Sequence, residues 1–362
     1  MPDDHAYSAA HAFDSSRLTL ARELNGFSKA ELARKLEKSP SAITQFEAGS
    51  LRPDASTLRL MSMALGVPVG FFAWAERGAF RIPLDSCHFR SLRSARQRDR
   101  RQVLASGSML LGVLDVAEDF IELPREDLSR ISRAGKALGD VEDFASEVRE
   151  AWGKGLGPLP GLVGLLEARG VAVVPVEQQF HEVGSFSLWH NGRPCIFLVL
   201  YPEAATRTRW DAAHELGHLL CHEDAHPGDS SLEREADRFA AAFLLPRETF
   251  EPECPTRLVW PHFRELKERW GVSLAALLRR AHDLGKLSDA SYRRGFVHLN
   301  RTGERFREKG EPELEQPTVL RTAIEVMEDE GATLPEVATA LGLSSTQLHG
   351  LLEPAAKKSK RR

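Results

Sequence analysis

Apolar residues recur along most of this chain at helical spacing, with one short interval of strand-like runs near its middle. Ser28-Lys29-Ala30-Glu31 is a capping box, in which the Ser28 hydroxyl and the Glu31 carboxylate satisfy free amides at a helix start. Leu32, Ala33 and Leu36 make that helix's apolar face. A polar turn, Glu37-Lys38-Ser39, leads into a second short helix from Pro40, with Ile43 and Phe46 facing inward and Ser41, Thr44 and Gln45 outward. Leu104, Met109, Leu110, Leu114 and Ala117 mark a longer helix within 103–121, suited to packing between domains or across a dimer. Strands are predicted at 171–176, 186–189 and 194–200, the last two joined by a turn at Asn191-Gly192. Helical spacing returns at 210–220, 233–246, 263–270 and 274–284. It closes with a pair at 334–343 and 344–352 that again looks like a helix-turn-helix.

The strand at 194–200 runs toward His214-Glu215-Leu216-Gly217-His218. On a helix, residues i and i+4 share a face, so His214 and His218 can grip one ion. Glu215 sits one step round, within reach of a water at an open coordination position, and is the candidate general base. Two solvated histidines on a surface helix are the bland alternative. The small and apolar neighbours from Ala212 to Leu220 count against it, because polar groups on a core helix are costly unless paired or metal-bound. Zinc requires a third protein ligand. Cys221 occupies the position where a sharp turn would need Gly, which argues against Asp224, and His222 lies too far along the helix. In the acidic run after Leu232, Glu233 shares a face with Ala236, Asp237 and Ala240, and is favoured. Glu235 is the alternative; it shares a face with Phe239 and Ala242 and reads as an exposed helix charge. Asp237 is then placed to hydrogen-bond a ligand histidine from behind. The strand at 196–200 is the expected edge for an extended peptide substrate.

The strand, the HELGH helix and the segment from Glu233 to Pro246 together resemble the ImmA/IrrE metallopeptidases, over roughly 140–250. That resemblance implies one zinc held by His214, His218 and Glu233, with Glu215 as general base, in a zincin-like fold. It also implies a protein substrate, a helix-turn-helix repressor whose cleavage releases stress, DNA-damage or mobile-element genes. The family's usual Asn in the second helix is Asp237 here. Near the N-terminus, Leu32-Ala33, Ile43, Glu47, Gly49, Arg52-Pro53, Leu58 and Ala64-Leu65-Gly66-Val67 resemble the XRE-type helix-turn-helix of phage-repressor-like regulators. The DNA-contacting set this implies is Lys29, Ser39, Ser41, Thr44 and Gln45. Lys29 stands where such domains often carry Gln, and a lysine holds phosphate rather than reading a base bidentately.

Charge limits the nucleic-acid reading. The net charge is -4, so any DNA contact is local. Residues 17–73 hold eight cations against five acids, and His88 to Arg101 is Arg-dense, a phosphate footprint or a solvated helix face. The four cysteines have no metal-finger spacing and suggest no disulfide framework, and the start lacks the features of a signal peptide. A cytoplasmic protein without membrane contact is expected. The fold class expected is mainly α, with a small α+β zincin-like metallopeptidase domain and an N-terminal all-α helix-turn-helix. The domains read as a flexible 1–16, the helix-turn-helix at 17–74, a helical connector at 75–138, the metallopeptidase at 139–252, a helical domain at 253–352 and a basic tail at 353–362. Partners expected are the protein substrate and operator DNA, with single-stranded DNA as a candidate signal and a homodimer as a candidate assembly. A second functional class stays open, a DNA-binding regulator whose metallopeptidase fold serves only as sensor or dimerisation module.

Overall fold

The computed structural model describes residues 2–73, 82, 95–133, 140–222, 229–305 and 307–352. Arg90 and Arg93 of the Arg-dense segment, Asp224 and the basic tail lie outside the described residues. The chain is mainly α, with eighteen α-helices and one three-stranded sheet among the described residues. It forms two compact units. Among the described residues, the first runs up to Leu123 and resumes at Val319; the second covers Pro124–Thr318. Residues 253–352 therefore divide between the units instead of forming one body. Glutamates hold the segment before Thr318 to the second unit, Glu308 and Glu311 on the buried Lys267 and Glu315 on Arg209.

The first unit carries α1 (Pro2–His11), α2 (Ser15–Leu24), α3 (Lys29–Lys35), α4 (Pro40–Glu47), α5 (Ala55–Leu65) and the long α6 (Gln97–Ala117). Helices α2 to α5 each start where a side chain caps them. Asp14 accepts from Ser16 N at 2.8 Å, Ser39 from Ala42 N at 3.1 Å and Asp54 from Thr57 N at 2.7 Å, and the Ser28–Glu31 box is closed in both directions. Leu32, Ile43, Leu58, Met61 and Phe71 fill the space between them. Arg22 donates from Nε and Nη2 to both oxygens of Glu47 across this core.

The second unit is built on the sheet, in the order β1-β3-β2. Strand β1 (Ala172–Val176) pairs parallel with β3 (Arg193–Val199), and β2 (Phe186–His190) pairs antiparallel with it. Asn191 (φ 48°) and Gly192 (φ 78°) both take left-handed backbone, as a two-residue hairpin turn requires. Around the sheet lie α7 (Leu128–Ile131), α8 (Val141–Ala151), α9 (Leu162–Ala168), α10 (Ala205–Cys221), α11 (Ser230–Leu244), α12 (Arg247–Glu253), α13 (Trp260–Trp270), α14 (Leu274–Asp283) and α15 (Asp289–Thr302). The core binds them through Phe239, Phe243, Phe250, Phe263 and Trp270. Helix α10 packs against both β3 and β2 and against α11. A Cβ at Gly217 would meet the Phe239 ring at 3.1 Å, so this glycine lets α10 and α11 approach closely.

One sequence expectation is corrected here. The strand at 196–200 is not an edge; β3 is central, with its hydrogen-bonding groups committed to β1 and β2. Its continuous apolar run fits that place, since a strand covered on both sides needs no polar face.

Candidate metal centre

Helix α10 is buried almost all round, and His214, Glu215 and His218 on it are only 1–2% exposed. Ionisable groups at such positions require partners. His214 Nε2 lies 3.2 Å from His218 Nε2, and Glu233 on α11 brings its two oxygens to 3.4 Å from the first and 3.5 Å from the second. These three side chains form the cation-sized cluster among the described residues. The spacing tests a zinc ion directly. Ligand bonds of about 2.0–2.1 Å at tetrahedral angles put donor atoms about 3.3–3.4 Å apart, close to all three separations. Two nitrogens and one carboxylate also match the donor preference of zinc at a catalytic site.

The histidine tautomers follow from what stands behind them. Asp237 accepts from His214 Nδ1 at 3.0 Å, so the proton sits on Nδ1 and Nε2 keeps its lone pair toward the cluster. His218 is oriented by a longer chain. The Glu235 carboxylate accepts from His222 Nε2 at 3.2 Å, which leaves His222 Nδ1 as an acceptor for His218 Nδ1–H at 3.1 Å. His218 Nε2 is thereby bare as well. Glu235, read from sequence as an exposed charge, is half-buried and engaged. His222 does lie beyond reach of the cluster as a donor, but it touches the ring that belongs to it.

Electrostatics divides the two nearby glutamates. Burial pushes Glu215 up to about 7, against the pull of His214 and of a 2.8 Å hydrogen bond from Ser187 Oγ. Burial also raises Glu233, but the His214 and His218 rings facing it outweigh that and hold the carboxyl far below the usual range. Burial lowers His218, keeping its ring neutral and able to donate a lone pair. Cys221, pushed up to about 12 by burial, is an inert thiol.

Ser187 is absent from the sequence-derived site, in which Glu235 figures only as the alternative ligand and His222 as one set aside. His222 was signalled by the i, i+4, i+8 repeat of histidines, and Glu235 by its alternation with Glu233 and Asp237. Nothing in the sequence marked Ser187, whose role comes from β2 lying against α10.

In the first unit, Ser41, Thr44 and Gln45 are exposed on one side of α4. Thr44 Oγ1 donates to Pro40 O at 3.1 Å. Ser39 is spent as the helix cap. Lys29 Nζ lies 3.2 Å from Glu47, so part of its charge is already compensated.

No curated protein compared with the chain matches it. Two family models do match. Residues 18–72 fit the helix-turn-helix family, and residues 166–282 fit the IrrE N-terminal-like domain, a peptidase family whose members imply a bound metal. Separate segments of the chain thus match a helix-turn-helix model and an IrrE N-terminal-like model, the pair of domains that the ImmA/IrrE resemblance implies.

Proposed function

We propose that the second unit is a zinc endopeptidase acting on a protein regulator, and that the helix-turn-helix brings the chain to DNA. The observation that supports this most is the convergence of His214, His218 and Glu233 beside a buried carboxyl, Glu215, whose pKa is raised to about 7. His214, His218 and Glu233 would hold the ion. When bound, zinc supplies Lewis acidity to a peptide carbonyl and lowers the pKa of a water. Glu215 takes the proton from the attacking water and passes it to the leaving amine, work suited to a group balanced near neutrality. Ser187 Oγ fixes one of its oxygens. An extended peptide lies alongside β2, the strand that carries Ser187 to the site.

That binding mode favours a flexible segment over a folded core. The substrate we infer is a repressor carrying a helix-turn-helix, whose loss releases stress, DNA-damage or mobile-element genes in the cytoplasm. Zinc-loaded protein incubated with the product of a neighbouring repressor gene, alone, with duplex and with single-stranded DNA, is expected to give one internal cut read by fragment mass. An uncut repressor under all three conditions would remove this substrate class.

Three further expectations rest on side chains already described. Gln45→Ala should weaken binding to the cognate duplex by about 1–3 kcal/mol and relax its sequence preference. Lys29→Ala should weaken all duplexes alike and lower the salt slope by about 1, as gel shifts over a salt series would show. Behind the metal cluster, His222→Phe keeps a ring but offers no acceptor to His218, so zinc affinity should fall about 10- to 100-fold. His222→Asn restores an acceptor and should recover part of the loss, read by chelator competition.

A further inference from the structure

The last described helices of the first unit are α16 (Val319–Asp329), α17 (Leu334–Ala340) and α18 (Ser345–Leu352). They repeat α2, α3 and α4 at a constant offset of 305 residues. Helices α3 and α4 span 29–35 and 40–47; α17 and α18 span 334–340 and 345–352. The connecting backbone is the same, bond for bond. Phe27 N donates to Arg22 O as Ala332 N does to Met327 O, and Lys38 N to Ala33 O as Leu343 N does to Ala338 O. The left-handed residues Gly26 and Glu37 return as Gly331 and Gly342. The Ser28–Glu31 capping box returns as Thr333–Glu336, and the Ser39 cap as Ser344. The buried positions Leu32, Ala33, Leu36 and Ile43 are matched by Val337, Ala338, Leu341 and Leu348.

Charge has not been kept. Lys29, Arg34, Lys35 and Lys38 correspond to Leu334, Thr339, Ala340 and Leu343, and the Arg22–Glu47 ion pair to Met327 and Leu352. Residues 14–47 hold six cations and five acids; 319–352 hold one and five. Phosphate contacts dominate the affinity of a DNA-binding surface, so the second copy lacks what would hold it to a duplex. What it holds is the first copy. Helices α16, α17 and α18 all pack on α6. Arg17 Nη2 donates to Leu341 O at 3.0 Å and lies over the Phe71 ring, while the Gln347 amide donates to Gly66 O at the end of α5.

We propose that residues 319–352 are a second helix-turn-helix, without DNA affinity of its own, that serves as a built-in partner covering α6 and the Phe71 turn, so that one chain engages DNA without a second subunit. The DNA part rests on the first copy binding duplex as proposed above; the assembly part does not.

The test uses full-length zinc-loaded protein and two exposed or wedge variants. A Cβ at Gly112 of α6 would lie 3.1 Å from Leu341 Cδ2, so Gly112→Met should push the second copy away without altering it. Sedimentation is expected to give a monomer for the parent and a dimer for Gly112→Met, with circular dichroism showing helix content retained. Thr346→Ala/His349→Ala, on the exposed side of α18, should leave duplex affinity within about twofold of the parent, whereas Gln45→Ala lowers it at least about fivefold. A dimeric parent, a Gly112→Met chain that stays monomeric, or a Thr346→Ala/His349→Ala loss as large as that of Gln45→Ala would each overturn the proposal. Should the parent bind no duplex at any salt, the DNA reading fails, and sedimentation alone still decides the partner role.

Discussion

Glu215→Gln is expected to leave a folded, zinc-binding chain that cleaves peptide bonds at least about 100-fold more slowly. The substitution keeps the shape of a side chain that is 1% exposed, so it opens no cavity. Ser187 Oγ still finds an oxygen at the same place. What the amide loses is the capacity to accept a proton from water and return it to the leaving amine. His214, His218 and Glu233 keep their donor atoms, so metal content should match the parent while turnover collapses. The same variant separates the two functional classes. A Glu215→Gln protein that regulates its target genes just as the parent does would leave the peptidase fold as a sensor, with the helix-turn-helix carrying the function.

What could be read in advance was local. The cap at Ser28 and the hairpin at Asn191-Gly192 depend on residues within four positions of each other, and local pattern exposes such features. The i, i+4 face joining His214 to His218 is of the same kind. The rank of β3 in its sheet was not, because a run of apolar residues says that a strand is buried but not which strands flank it. Hence local pattern points to β3 as an edge, whereas β3 is central and β2 is the strand that reaches Glu215. Glu235 was misjudged for a related reason. Helix phase sorts the residues of α11 into faces, but the rotation of α11 about α10 decides which face meets His222, and that rotation is set by contacts such as Phe239 on Gly217. The division of 253–352 between two units lay further still from local pattern, since long-range glutamate contacts fix it.

Removing one donor atom is expected to empty the metal site. Glu233→Ala leaves two histidine nitrogens 3.2 Å apart and no anionic ligand, and His218→Ala leaves one nitrogen and one carboxylate. Either loss should weaken zinc by more than the roughly 10- to 100-fold that a missing outer hydrogen bond costs, and metal analysis after dialysis at neutral pH should find it gone. Acid should have the same result by another route, with the sign fixed by burial. Zinc and protons compete for His218 Nε2, and burial lowers that group from its ordinary 6.5, favouring the neutral ring. Zinc should therefore stay bound as pH falls through 6.5 and leave only below it. Glu233, held far below the usual carboxylate range, stays ionised throughout and is not the group that releases the ion. A Glu233→Ala protein with full zinc at neutral pH would move the ligand role to Glu235. Glu235 would then have to abandon its hydrogen bond to His222, and the His222 variants would lose their effect on zinc affinity.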